Sequence, residues 1–289
     1  MSMQNPVFIP GPTNMPEAIR LACHMPTIDH RSPVFGNILH PCLEGVRKVL
    51  KSESAKIFIF PSTGTGGWET ALSNTLSAGD GILAARNGMF SHRWIDMCQR
   101  HGLDVTVVET PWGQGLPADK YEAILRADTS HKIKAVLATH NETATGVKSD
   151  IAAVRKALDA AGHPALLFVD GVSSIGSMDF RFDDWGVDVA VTGSQKGFML
   201  PAGLAIVGFS EKAMKATETA KLPRIAIAPS RNHSSSGQSN IVALWWICEA
   251  SDSGSSITTD AATGQDSRGQ TIGLRSAAAR AAVSRQKPA

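Results

Sequence analysis

Between residues 55 and 210 the chain alternates short β-branched apolar runs with longer mixed stretches. Residues 57–60, 82–85, 105–109, 135–139, 165–170, 188–192 and 204–209 read as strands. Several are apolar throughout, the pattern expected where helices cover both faces of a sheet. Residues 66–76, 91–101, 118–127 and 150–161 read as helices between them. The last has clear ends, with Ser149 as the expected N-cap and Gly162 as the C-terminal stop. Strand–helix alternation of this kind predicts an α/β fold built on a largely parallel sheet.

The pattern breaks after Pro223-Arg224. From about residue 226 Ser, Ala, Gly, Thr and Arg dominate, with linker-like Ser/Gly pieces at 234–237 and 253–256. An apolar stretch at 241–248 interrupts this, and 276–283 has the composition of a basic Ala-rich helix without a docking stripe. The expected organisation is a folded domain over 1–224 and a divergent, poorly ordered tail over 225–289.

Composition adds mainly exclusions. At 289 residues, 43% hydrophobic and 19% charged, the chain has globular proportions. A net charge of +2 makes no case for nucleic acid or an anionic membrane surface. No run of apolar residues is long enough for a membrane span, and the first residues lack the plan of a signal peptide. Cys23, Cys42, Cys98 and Cys248 are scattered without a C-x-x-C pair, which predicts reduced thiols, a cytoplasmic chain and no metal site.

Four polar segments follow predicted strands, where ligands sit in open α/β sheets. Pro61-Ser62-Thr63-Gly64-Thr65-Gly66-Gly67-Trp68-Glu69 opens a helix. Its glycines and free N–H groups suit a phosphate, with Thr63 and Thr65 adding hydroxyl donors. Glu69 stands where a dinucleotide fingerprint needs its third glycine, and a Gly-Lys-Ser/Thr is missing, so neither a Rossmann turn nor a P-loop fits. A plain βα turn is the competing reading. Phe168-Val169-Asp170-Gly171 ends an apolar strand on a carboxylate. Such a carboxylate either pairs with a protonated ring nitrogen or caps the next turn. In Val191-Thr192-Gly193-Ser194-Gln195-Lys196-Gly197 a lone lysine stands among small and apolar residues. Burial there would lower its pKa and free the amine as a nucleophile, against the alternative of a solvated loop lysine. The loop His140-Asn141-Glu142-Thr143-Ala144-Thr145 offers hydroxyls to a ligand, or simply turns the chain.

Order and spacing say more than any one segment. The anion loop comes first, then the hydroxyl loop, then Asp170, then Lys196 26 positions on. Together with Phe8-Ile9-Pro10-Gly11-Pro12-Thr13-Asn14-Met15-Pro16 and Asp29-His30-Arg31-Ser32-Pro33-Val34-Phe35, this set resembles the class V pyridoxal-phosphate (PLP) aminotransferases of the serine–, alanine– and aspartate–glyoxylate group. The resemblance covers roughly residues 5 to 224. It implies the large domain of PLP fold type I with a mostly parallel central sheet. It also implies transamination of an amino acid with glyoxylate, giving glycine and a 2-oxo acid, in a homodimer. Lys196 and Asp170 would be catalytic, Lys196 binding PLP covalently and Asp170 pairing with its ring nitrogen. Thr63, Gly64 and Thr65 would hold the phosphate, with Gln195 nearby. Phe90 would stack on the ring, Thr143 would face its phenolic oxygen, and 11–13 would line the entrance.

The family's C-terminal small domain is absent or degenerate in this sequence. Its substrate-binding arginine and tyrosine-containing phosphate segment are not recognisable, and Tyr121 is the one tyrosine of the chain. Two alternatives therefore stand beside a working aminotransferase: a PLP-binding remnant without turnover, and another class V enzyme such as a lyase. A desulfurase lacks a suitably placed cysteine. A serine hydrolase is excluded because Gly171-Val172-Ser173-Ser174-Ile175-Gly176 misses the nucleophile elbow by one position. A shifted reading frame near codon 225 would produce such an abrupt change. Translating the gene in the neighbouring frames tests this, and absence of the missing motifs from both frames would dismiss it.

Overall fold

The computed structural model describes residues 7–223. The expectations for 225–289, including the apolar stretch and the Ala-rich helix, lie outside the described residues. In chain order the elements are α1 (Glu17–Ala22), α2 (Pro33–Leu50), β1 (Lys56–Pro61), α3 (Gly64–Thr75), β2 (Gly81–Arg86), α4 (Met89–Arg100), β3 (Asp104–Glu109), α5 (Ala118–Ala127), β4 (Ile133–Thr139), β5 (Asn141–Glu142), β6 (Val147–Lys148), α6 (Ile151–Ala160), β7 (Leu166–Asp170), β8 (Val189–Gly193), β9 (Leu204–Phe209) and α7 (Glu211–Ala216).

Seven strands form one sheet in the order β1-β9-β8-β7-β4-β2-β3. Its pairs are parallel except those made by β9, which runs antiparallel to β8 and to β1. Each strand expected from the sequence is present, with ends moved by at most two residues. The period-two rule of strands shows in the packing. Val136, Ala138, Leu167 and Val169 face a core shared with Leu43, Val46 and Leu50 of α2, Tyr121 and Leu125 of α5, and Ile151 and Val154 of α6. Their neighbours Ala135, Leu137, Leu166 and Phe168 face a second core with Trp68 and Leu72 of α3, Trp94 and Ile95 of α4, and Ala213 of α7. Burying one such large apolar side chain stabilises by roughly 1.5–3 kcal/mol, so both layers hold the sheet. Trp68 and Trp94 stack with centroids 5.5 Å apart, tying α3 to α4.

Several local features depart from the sequence reading. α3 begins at Gly64, two residues earlier than expected, which puts Gly64 and Thr65 in its first turn. Asp150, not Ser149, caps α6 by accepting from Ala153 N–H, while the Ser149 hydroxyl accepts from Leu116 N–H. Gly162 follows with φ +59°, the left-handed stop expected of it. α2 went unread. Ser32 caps it by accepting from Val34 N–H, Pro33 opens it and Pro41 lies inside it, while Leu43, Val46 and Leu50 form its buried stripe.

Candidate active site

Parallel strands that all point one way bring the loops after β1, β2, β4, β7 and β8 to one edge of the sheet. The segments singled out in the sequence occupy those loops: Thr63–Thr65 after β1, Phe90 after β2, Thr143 after β4, Asp170 at the end of β7, and Gln195-Lys196 after β8. α3 starts close to the other loops because Gly64 lacks a side chain. A β-carbon there would stand 2.6 Å from Val172 Cγ2, just beyond Asp170. As in any helix, the first N–H groups of α3 lack intrahelical partners. The Thr63 side chain does not cap them, and Thr63 and Thr65 are both exposed.

Asp170 is buried and accepts one hydrogen bond, from Val172 N–H to Oδ1 at 2.9 Å. Burial pushes its carboxyl up to about 7, assisted by the Glu142 carboxylate and opposed by the Val172 N–H and the Lys196 ammonium. The Trp68 indole N–H also draws it down, without reaching the geometry of a full hydrogen bond. Lys196 is half-buried, and burial lowers its pKa although Asp170 works the other way. The loop carrying it is pinned at its base. Ser194 Oγ donates to Pro201 O at 2.6 Å and accepts from Leu204 N–H. From the other side the N-terminal segment closes on it. Thr13 N–H donates to Gln195 O and Thr13 Oγ1 to Lys196 O, while a β-carbon at Gly11 would stand 2.5 Å from Lys196 Cδ.

Around this pair lie polar atoms that the fold itself does not satisfy. Gln195 Oε1 and the Trp68 indole nitrogen are buried without a hydrogen-bond partner among the described residues, as is Asn141 Oδ1. Unpaired buried polar atoms cost stability, and their clustering beside an anion-ready helix start fits a polar, phosphate-bearing group. Thr143 Oγ1 donates to Ser173 Oγ at 2.9 Å, and Asn141 Nδ2 donates to the same oxygen at 2.8 Å. Phe90 sits edge-on to Trp68 with centroids 6.5 Å apart. Trp68, Asn141, Ser173 and Glu142 belong to this site and were not assigned roles from the sequence. Each lay inside a quoted segment, but nothing in spacing marked it as inward-facing. Among the described residues there is no cluster of side chains suited to a metal ion.

The family model of aminotransferase class-V matches residues 23–238. The L-aspartate–glyoxylate aminotransferase of Paracoccus denitrificans is 80% identical over 224 residues, which cover 78% of this chain and 57% of that one. The serine–glyoxylate aminotransferase of Methylorubrum extorquens is 59% identical over 215 residues, covering 74% and 54%. The crystal structure of an alanine–glyoxylate aminotransferase from Nostoc sp. superimposes with a TM-score of 0.69 at 27% identity, covering 78% of this chain and 59% of that one. The chain thus spans little more than half the length of the curated relatives it matches. A strand-end lysine beside a buried aspartate, an open helix start and a family match over most of the sequence converge on one statement: the chain belongs to the class-V aminotransferase family.

Proposed function

We propose that residues 1–224 form a PLP-binding domain and that the chain works in transamination between an amino acid, namely aspartate, serine or alanine, and glyoxylate. The observation that carries this reading is a lysine and a buried aspartate at the same edge of the sheet, Lys196 in the loop after β8 and Asp170 at the end of β7, each perturbed by burial and each acted on by the other's charge. The 80% identity to an aspartate–glyoxylate enzyme favours glyoxylate as acceptor.

When bound, PLP supplies an electron sink for bonds at a substrate α-carbon. The chain's own residues have separable tasks. Lys196 Nζ, with its proton affinity reduced by burial, is available to bind an aldehyde carbon and afterwards to carry a proton. Asp170 offers its carboxylate to a cationic ring N–H, which would favour the ionised form that burial alone resists. The first N–H groups of α3, with the Thr63 and Thr65 hydroxyls and the Gln195 amide, would bind the phosphate. Phe90 supplies an apolar face, and Thr143, held by Ser173, supplies a hydroxyl. Residues 11–13 shield Lys196 from water.

The N-terminal region carries exposed apolar side chains, including Phe8 at 90%, Leu21, Met25 and Val34. We assign this face to a homodimer, since patches of this kind are otherwise costly in water. Sedimentation that finds only monomer at micromolar concentration would count against the assignment. Cys23, Cys42 and Cys98 are free thiols, in keeping with a cytoplasmic location, and no helix among the described residues is long and apolar enough to cross a membrane. A chain that binds PLP without turnover is the second reading, favoured by the change of sequence character after Pro223-Arg224.

Absorbance of the purified chain with PLP, before and after borohydride, tests the proposal. A visible absorbance band from a lysine-bound PLP chromophore is expected in the parent and not in Lys196→Ala. Its absence from the parent overturns the cofactor reading. A band without conversion of aspartate, serine or alanine selects the second reading.

A further inference from the structure

Glu142 is buried with no exposed surface, yet among the described residues neither Lys196 nor an arginine pairs with it. Its carboxylate instead accepts backbone N–H groups from two separate loops. Phe90 N–H lies 3.2 Å from Oε1 and 3.1 Å from Oε2, Ser91 N–H 3.0 Å from Oε2, and Ala144 N–H 3.1 Å from Oε1. Phe90 and Ser91 are in the first turn of α4, where unpaired N–H groups and the helix dipole favour a negative charge. Ala144 adjoins Thr143. A β-carbon at Gly88 would stand 2.2 Å from Glu142 Cγ, so the side chain lies directly against the turn that opens α4.

The two loops clamped together are those that carry Phe90 and Thr143, the proposed partners of the cofactor's ring face and phenolic oxygen. We infer that Glu142 is a positioning residue, whose buried carboxylate locks Phe90 and Thr143 in register with each other so that the cofactor ring meets both. This inference rests on the proposed PLP site. Glu142 makes no contact with the reacting system; it acts mainly through the backbone of the residues that do. Its charge also reaches Asp170 as a like-charge repulsion, which would oppose cofactor binding less in Glu142→Gln.

Each carboxylate oxygen takes at least two of these N–H groups, so a glutamine in either orientation turns its own NH2 toward an N–H. Donor then faces donor on one side, and α4 separates from the β5 loop there. A purely structural role for Glu142 would give lower stability and nothing else. Ser91→Ala supplies the comparison, since it removes the hydroxyl that accepts from Asn87 and Gly88 N–H at the same helix start without altering the carboxylate.

The measurement is visible circular dichroism of the full chain with PLP bound through Lys196, together with the PLP Kd from titration. Glu142→Gln is expected to keep the absorbance band, to lose about half or more of its ellipticity, and to bind PLP roughly tenfold more weakly, the effect of one spoiled buried hydrogen bond. Ser91→Ala is expected to lower Tm and leave both readouts unchanged. Parent-like values for Glu142→Gln, or equal losses in Ser91→Ala, overturn the inference. Should Glu142→Gln not fold, hydrogen exchange in the parent decides: PLP should slow exchange at Phe90 and Ser91 about tenfold, and no slowing is the contrary result. A parent without a Lys196-dependent band removes the cofactor reading and this inference together. A band-bearing parent with an indifferent Glu142→Gln removes this inference alone.

Discussion

Two aspartates on adjacent strands, Asp170 closing β7 and Asp188 just ahead of β8, are each 5% exposed. Asp188 lies toward the opposite edge of the sheet and is fully engaged. It accepts from Ser210 Oγ on Oδ1 at 2.8 Å and from Leu167 N–H on Oδ2 at 2.8 Å, with Lys212 Nζ 3.5 Å from Oδ2. Asp170 accepts one backbone N–H and stands opposite a half-buried lysine. One carboxylate closes the join between β7, β8 and the start of α7. Its neighbour is left with hydrogen-bonding capacity that the fold does not use. Burial alone would rank the two alike; their partners separate structure from chemistry.

Changing each aspartate to asparagine, which keeps size and removes charge, tests that separation. The largest effect is expected for Asp170→Asn in the presence of PLP and substrate. Loss of a buried charge pair, about 3–5 kcal/mol, should weaken cofactor binding or transamination by about 1000-fold, as read by PLP titration and turnover. A parent-like variant would mean that Asp170 is a turn residue after all.

The next effect has the opposite sign and belongs to the protein without cofactor. The Asp170 carboxyl has an ordinary value of 3.8 and ionises in the fold only near 7. Between those values the folded chain holds the extra proton, so its contribution to stability is complete below 3.8 and is lost as pH rises toward 7. Asp170→Asn removes that loss. The cofactor-free variant should gain up to about 4 kcal/mol over its parent at pH 8 and little at pH 4, measured by urea unfolding. A gain that is equal at both pH values would contradict burial of the charge as the cause. The smallest effect is expected for Asp188→Asn, a loss of about 1–3 kcal/mol at neutral pH with PLP affinity unchanged. Weakened PLP binding in a folded Asp188→Asn would collapse the contrast between the two residues.

The sheet was legible because its central strands are buried on both faces, and continuous apolar runs such as 135–138 and 166–169 leave little room for another reading. Helix α2 was not, since Pro33, Gly36, Pro41 and Gly45 interrupt its stripe and read as breakers. The two-residue strands β5 and β6 are too short to show a period. Asp170 and Lys196 stood out through their order and spacing after the anion loop, since each alone had an ordinary reading as a turn or loop residue. Glu142 did not, because a carboxylate satisfied by backbone N–H groups looks, in sequence, like any acid in a polar loop. Ser149 and Asp150 show the same blindness on a small scale: both are good caps, and only the hydrogen bonds to Ala153 and Leu116 tell them apart.

The antiparallel course of β9 has a practical meaning for redesign. A parallel successor to β8 would require a crossover through a helix, and the lysine would ride on a long, rebuilt connection. Here residues 194–203 join two laddered neighbours, with Ser194 N–H bonded to Leu204 O at their mouth. Its ends are fixed by the ladder, and its interior is held by Met199 N–H to Lys196 O and Leu200 N–H to Ser194 O. Lengthening or shortening it between Lys196 and Pro201 would retune the reach of the amine while leaving the register of every strand as it is.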